Sequence, residues 1–297
     1  MSSTATTYKP KRATVALEDA EIIDQQAFAG QQFILRVHAP KAARRAVPGM
    51  FAHIGCDPAV PLRRPLSIMR ASPTEGWLEF LYKPKGHGLE KLSTRRAGEV
   101  LSVLAPIGRG FVPDAARPRL LALGGGVGIP PMIFLADQLR ARPELKMLVL
   151  MGSEVPFPFE LVASRLEVPG ASAEASHAVA LLERWGVASR LASNAGFPGC
   201  HRGYITDLAR AWLATLTAQA RAQTQVFACG PTPMLATVAK LVREFDVPCQ
   251  LALEEFMACG IGGCAGCNVL VRTPDGPAMK RVCVDGPVFD SREIYPD

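Results

Sequence analysis

Half of the chain's eight cysteines fall in its last forty residues, as Cys259, Cys264, Cys267 and Cys283. The first three are spaced C-x4-C-x2-C, and the fourth follows after fifteen intervening residues. That triplet is the spacing with which plant-type ferredoxins hold a [2Fe–2S] cluster. Two irons bridged by two sulfides need four thiolates converging from two sides, so a tight loop supplies three and a distant strand the fourth. Gly260, Gly262, Gly263 and Gly266 would let the loop take positive φ. They would also let backbone N–H groups approach the sulfurs, which tunes a cluster's potential. The chemistry of such a site is one-electron transfer. Two other readings stand beside it. Four cysteines also bind zinc, although structural zinc sites usually come as two short Cys pairs, and the thiols could be unligated. Cys56, Cys200 and Cys249 have no such company and read as core or surface residues.

Four further stretches have the residue types to hold nucleotides. Arg64-Pro65-Leu66-Ser67 follows an apolar strand: the arginine can pair with a phosphate, and the serine hydroxyl can meet the edge of a ring. Leu81-Tyr82-Lys83 precedes Gly86-His87-Gly88-Leu89, where a glycine loop opens a helix and favours an anion. His87, flanked by glycines, reads as an exposed loop residue. Gly124-Gly125-Gly126-Val127-Gly128-Ile129-Pro130 lies between a strand and a helix, the context of a dinucleotide pyrophosphate. It is not a G-x-G-x-x-G, because Ile129 or Pro131 stands at the third glycine, and no acidic residue falls at the usual ribose position. Cys229-Gly230-Pro231 ends another strand, where α/β sheets bind ligands. Cys229 there lies against a nicotinamide ring or is a small buried residue in a tight turn.

The elements that must position these residues divide the chain. Residues 13–115 carry short patterned runs (Phe33–Val37, Met50–Ile54, Leu66–Met69, Trp77–Tyr82, Val100–Leu104) with one helical stretch near Leu89–Arg95, which predicts a small antiparallel barrel. Over 116–248 strands alternate with helices: Arg119–Leu123, a helix from Pro130 to Arg140 with prolines in its first turn, Lys146–Met151, a strand and helix within Ala178–Leu191, Tyr204–Leu216, Gln225–Cys229 and Thr232–Phe245. That alternation predicts a doubly wound parallel sheet. Residues 249–297 form a glycine- and cysteine-rich appendix, and 1–12 a disordered tail. The tail has no apolar core or cleavage signal, and the longest apolar run, Leu120 to Ala136, is broken by glycines and prolines, so a cytoplasmic protein with no membrane span is expected. The net charge of +6 comes without basic runs interleaved with aromatics, which argues against nucleic acid as a partner.

In their order, Pro48-Gly49-Met50-Phe51, Arg64–Ser67, Gly124–Pro131 and Cys229-Gly230-Pro231 resemble the ferredoxin–NADP reductase superfamily. Within it the chain is similar to the electron-transfer subunits of NAD-linked dihydroorotate dehydrogenase, through Ala105–Phe111, Gly203–Asp207, Leu253–Gly260 and Cys283–Phe289. The resemblance implies a β + α/β protein with an antiparallel flavin-binding β-barrel, a doubly wound nucleotide-binding domain and a small iron–sulfur appendix. It implies FAD held by Arg64, Pro65, Leu66 and Ser67, by Leu81, Tyr82 and Lys83, and at the pyrophosphate by Gly88 and Leu89. The family usually has threonine where Leu89 stands, so a backbone contact survives there and a hydroxyl contact does not. It implies NAD at Gly124, Gly126, Gly128 and Cys229, and the cluster on the four cysteines. No residue is expected to act as acid or base. The implied role is in pyrimidine (UMP) synthesis: an FMN-containing dihydroorotate dehydrogenase catalytic subunit, paired with this chain in a heterotetramer of two plus two, exchanges electrons with NAD through cluster and FAD. Phe256, Met257 and Ile261 would face that partner. The alternatives are a reductase component for a hydrogenase or oxygenase, and a zinc-stabilised interaction module without redox activity.

Overall fold

The computed structural model describes residues 15–296, so the expected tail lies outside the described residues. Six strands close an antiparallel barrel in the order β1-β2-β5-β4-β3-β6. They are β1 (Ala16–Phe28), β2 (Gln32–His38), β3 (Phe51–Gly55), β4 (Arg64–Ser72), β5 (Trp77–Tyr82) and β6 (Val100–Ile107). Alternate residues such as Leu35 and Val37, or Leu101 and Val103, fill its interior. A short helix α1 (Pro40–Ala43) plugs one end with Ala42 and Ala43. Its first N–H groups, which no helix can satisfy internally, donate to the carboxylate of Glu18: Lys41 N and Ala42 N each lie 2.9 Å from it. The other helix, α2 (His87–Ser93), begins two residues earlier than its apolar pattern suggests, at the glycine pair. Gln25 ties its C-terminal end by donating to the carbonyls of Leu92 and Arg95.

The second unit is a six-stranded sheet in the order β11-β8-β7-β12-β13-β16. Its strands are β7 (Arg119–Gly125), β8 (Lys146–Gly152), β11 (Ala188–Ala192), β12 (Thr224–Cys229), β13 (Cys249–Ala252) and β16 (Val288–Asp290). A small hairpin, β9 (Leu161–Ala163) with β10 (His177–Val179), lies apart from it. All neighbours run parallel except β16, which is antiparallel to β13. The chain builds β7, β8 and β11 outward on one side, then crosses to lay β12 against β7. That reversal is the topological switch point at which open α/β sheets bind ligands.

One face of the sheet packs on α3 (Ile129–Leu139) and α4 (Ala180–Arg184), the other on α5 (Ile205–Ala214) and α7 (Thr232–Glu244), while α6 (Ala218–Ala222) is peripheral. Helix α3 joins the two units: Met132, Ile133 and Leu135 meet Met69 and Leu81 of the barrel, and Phe134 enters the barrel's own core. Arg70 of β4 adds a polar clamp, 3.3 Å from Asp137 and set over the rings of Trp77 and Trp185. Among the described residues no helix is long and apolar enough to cross a membrane.

The expected start of the appendix at 249 differs from what is observed. β13 begins there and is a full member of the sheet, with Val226 opposite Cys249. The cysteine-rich segment is an excursion from the end of β13 that returns as β16. It contains the hairpin β14 (Asn268–Thr273) and β15 (Gly276–Arg281). The short α8 (Ser291–Ile294), capped by the Asp290 side chain, follows β16.

Candidate functional site

The four cysteines form two pairs. Cys259 and Cys264 sit at the loop surface, while Cys267 and Cys283 are buried. Within the first pair the Cys264 N–H donates to Cys259 Sγ at 3.4 Å. Within the second, Cys267 Sγ and Cys283 Sγ are 3.3 Å apart. Two thiolates on one tetrahedral metal, with metal–sulfur bonds of about 2.3 Å, lie about 3.7 Å apart, so the spacing of the second pair is close to what one metal needs. Two pairs of thiolates are what a two-iron cluster uses, since each iron takes two thiolates and shares the bridging sulfides.

Backbone donors favour the thiolate form of Cys259. Burial pushes the Cys259 thiol up, but the N–H groups of Cys264, Ile261 and Gly263 outweigh it and bring the pKa to about 7. Cys283 is pushed up to about 12, first by burial and then by Cys267 beside it. The positive φ expected of four glycines is adopted by Gly260 and Gly262 and by Ala265, not by Gly263 or Gly266. Gly266 instead donates its N–H to Cys264 Sγ at 3.4 Å.

The cluster loop is seated on the barrel. Cys267 and Cys283 share an apolar cluster with Phe51 of β3 and Ile107 of β6. Phe51 pairs in register with Ser67, so the Arg64–Ser67 stretch lies one strand away from the cysteines. Two distant segments that carried the resemblance also meet here: the Arg109 N–H donates to the Gly286 carbonyl at 2.6 Å. Around this stretch, the Arg64 guanidinium lies directly on Gly88, where a Cβ would come within 3.0 Å of it. Leu66 is buried, while Arg64, Pro65, Ser67 and Lys83 keep partial exposure. The Leu81 and Tyr82 side chains are both buried, and Tyr82 stacks on Phe33 and donates to Gln25 at 3.0 Å. Leu89 likewise packs toward the barrel core. His87 is exposed, as expected.

At the switch point the β7–α3 turn and the β12–α7 turn touch. Gly124 lies opposite Cys229 in the sheet. A Cβ on Gly128 would collide with the Cys229 carbonyl and come within 2.6 Å of Gly230 Cα, so only glycine fits. Gly126, at φ 56°, has open space around it. Cys229 is 1% exposed, and burial first, then Glu254, holds its thiol well above the usual range, so it is neutral. One residue that spacing alone misses is Glu154. It stands exposed just past the carboxyl end of β8, whose Gly152 pairs with Gly125, and Asn194 donates to it at 3.4 Å. The signal that finds it is its position at the end of the second strand of the sheet.

Phe256 and Ile261 project from the cluster loop at 94% and 54% exposure. Met257, expected beside them, instead packs against the cluster's apolar surroundings.

Residues 254–295 match the model of the iron–sulfur cluster binding domain of dihydroorotate dehydrogenase B. The electron transfer subunit of dihydroorotate dehydrogenase B (NAD(+)) from Geobacillus sp. (strain WCH70) is 34% identical over 256 residues, which cover 83% of this chain and 86% of that one. Its counterpart from Desulforamulus reducens is 29% identical over 284 residues, covering 93% and 97%. Among solved structures, an NADH-dependent reduced ferredoxin-NADP oxidoreductase superposes with a TM-score of 0.73 at 23% identity, over 93% of this chain and 90% of that one. Barrel, switched sheet and paired cysteines thus occur together in a chain that belongs to the family of dihydroorotate dehydrogenase B (NAD(+)) electron transfer subunits.

Proposed function

We propose that this chain carries electrons between an FMN-containing, dihydroorotate-oxidising catalytic subunit and NAD+, as one of the two kinds of subunit in a cytoplasmic two-plus-two heterotetramer serving pyrimidine synthesis. The observation that carries the reading is adjacency: the paired cysteines, the Arg64–Ser67 stretch and the glycine turns at the switch point adjoin one continuous barrel-to-sheet junction. FAD bound in the barrel supplies the conversion between the electron pair of a hydride and the single electrons that a cluster accepts.

The chain's own residues bind and orient. Arg64, resting on Gly88, offers a fixed positive charge to the FAD pyrophosphate, and the first-turn N–H groups at Gly88 and Leu89 add donors. Pro65, Leu66 and Ser67 line the ring, with the Ser67 hydroxyl at its edge. Leu81 and Tyr82 contribute main-chain groups and Lys83 its ammonium. Gly124, Gly126 and Gly128 let the NAD pyrophosphate approach the turn, and the neutral Cys229 borders the nicotinamide. Glu154 is placed to accept from the ribose hydroxyls and to repel a 2′-phosphate, which favours NAD over NADP. Cys259, Cys264, Cys267 and Cys283 would hold the cluster, which would supply one-electron transfer. Phe256 and Ile261 give the catalytic subunit an apolar contact beside the cluster.

The test is reconstitution. The purified chain, combined with a dihydroorotate-oxidising FMN protein, should reduce NAD+ at the expense of dihydroorotate and co-elute with its partner. Failure to couple to that protein, together with transfer of NADH electrons to an oxygenase or hydrogenase, would overturn the assignment.

A further inference from the structure

One buried polar side chain is used by none of the roles above. His53 of β3 is 1% exposed, and neither of its ring nitrogens makes a hydrogen bond. Burial first, and then the charge of Arg63, holds its pKa below the ordinary histidine value. The carbonyls of Arg63 and Met257 act in the opposite direction, but neither reaches hydrogen-bonding geometry. Arg64 is the other charged group acting on the ring, and it too favours the neutral form. A neutral imidazole has one N–H donor and one lone pair, and a buried donor with no acceptor is rare enough to require an explanation.

The surroundings of the ring supply one. His53 pairs in register with Pro65, inside the Arg64–Ser67 stretch. It also faces the cluster loop, where a Cβ on Gly260 would come 2.9 Å from Nδ1. Gly260 sits at φ 67° next to Cys259, and no side chain larger than hydrogen fits between the ring and the loop. The orphan ring therefore spans from the strand beside the flavin stretch to the residue adjoining a cluster ligand.

We propose that His53 is a positioning residue for the iron–sulfur cluster, its ring N–H donating to a cluster sulfur and so fixing the loop against the flavin strand. This rests on reading the four cysteines as the cluster site. Reduction adds negative charge to the sulfurs, so a donor aimed at them stabilises the reduced cluster and raises its potential. A histidine that merely filled space would leave that potential unchanged.

The test uses the full chain with its cofactors, carrying ring-15N histidine and reduced with dithionite. Pulsed EPR of the reduced cluster should show a coupling to one labelled nitrogen, and the coupling should vanish in His53→Leu. Of the chain's five histidines, only His53 lies against the loop residue next to Cys259. In redox titration, His53→Leu should lower the ratio of reduced to oxidised cluster at a fixed potential about tenfold, equivalent to 59 mV for a one-electron couple, and His53→Gln should restore most of it by keeping an N–H. A normal cluster signal without 15N coupling, or a Leu variant with the wild-type potential, would overturn the proposal while leaving the cluster assignment intact. An iron-free protein would overturn both. If His53→Leu fails to fold, the wild-type spectrum decides alone.

Discussion

Gly128→Ala should damage nucleotide binding while sparing the redox centres. The added Cβ would meet the Cys229 carbonyl and lie 2.6 Å from Gly230 Cα, both of them main chain. Ordinary contact begins near 3.4 Å, so the two turns must part by roughly 1 Å, and neither can swing aside because Gly124 and Cys229 are held opposite each other in the sheet. Overpacking of this kind costs about 1–3 kcal/mol. A displacement of about 1 Å at a reacting site can lower a rate about a hundredfold. Stopped-flow reduction of the flavin by NADH should therefore slow by one to two orders of magnitude, with the flavin and cluster absorbance unchanged. Gly126→Ala separates the two effects: nothing lies within 4 Å of its Cβ, so the turns stay together and only the left-handed φ of 56° is strained, at about 1–2 kcal/mol. Because Gly126 itself faces the pyrophosphate, this variant should raise the NADH concentration needed for half-maximal flavin reduction more than it lowers the saturated rate. If Gly128→Ala reduces flavin at the wild-type rate, the reasoning that the two turns form the nicotinamide end of the site is wrong.

Three other variants probe separate parts of the account. Arg70→Ala removes the contact to Asp137 and the stack on Trp185 between barrel and sheet, together with the stack on Trp77 within the barrel, and urea unfolding should report a loss of about 2 kcal/mol; no loss would mean that the apolar contacts of α3 alone hold the units together. Glu154→Gln removes the charge that opposes a 2′-phosphate, so the ratio of kcat/KM for NADPH over NADH should rise about tenfold, or about 1.4 kcal/mol, within the range for charges a few ångströms apart; an unchanged ratio would place the ribose elsewhere. Cys283→Ala, which leaves no donor atom, should abolish the cluster absorbance and dihydroorotate-linked NAD+ reduction, while NADH still reduces the bound flavin. Retention of a full complement of iron and unchanged cluster absorbance in that variant would exclude Cys283 as a ligand.

The parts of the molecule legible in sequence were those where spacing is chemistry. C-x4-C-x2-C must lie on one loop, and a glycine turn between a strand and a helix must sit at a sheet's carboxyl edge. What stayed hidden depends on contacts between distant segments. β1 escaped notice because its inward positions are Glu18, Ala20 and Ile22, a pattern with one charge and little bulk; Glu18 is inside because it caps α1. β13 looked like the start of the appendix because glycines and cysteines follow it closely, yet its pairing with β12 makes it sheet. That the Tyr82 hydroxyl bonds Gln25 was likewise invisible, because the two are fifty-seven residues apart in the chain. Glu154 lies farther along the chain than the usual ribose-binding acid, and only the length of α3 and β8 brings it back beside the glycine turn.

The central claim, that the paired cysteines and the barrel form a redox relay to nicotinamide, is tested most directly by one sample of anaerobically purified protein. Its iron, labile sulfide and flavin should be measured, and NADH then titrated in under EPR. The account predicts about two irons and two sulfides per chain, one FAD, bleaching of the flavin band, and a reduced-cluster signal that appears as NADH is added. Zinc in place of iron, or a cluster and flavin that NADH leaves oxidised, would contradict it.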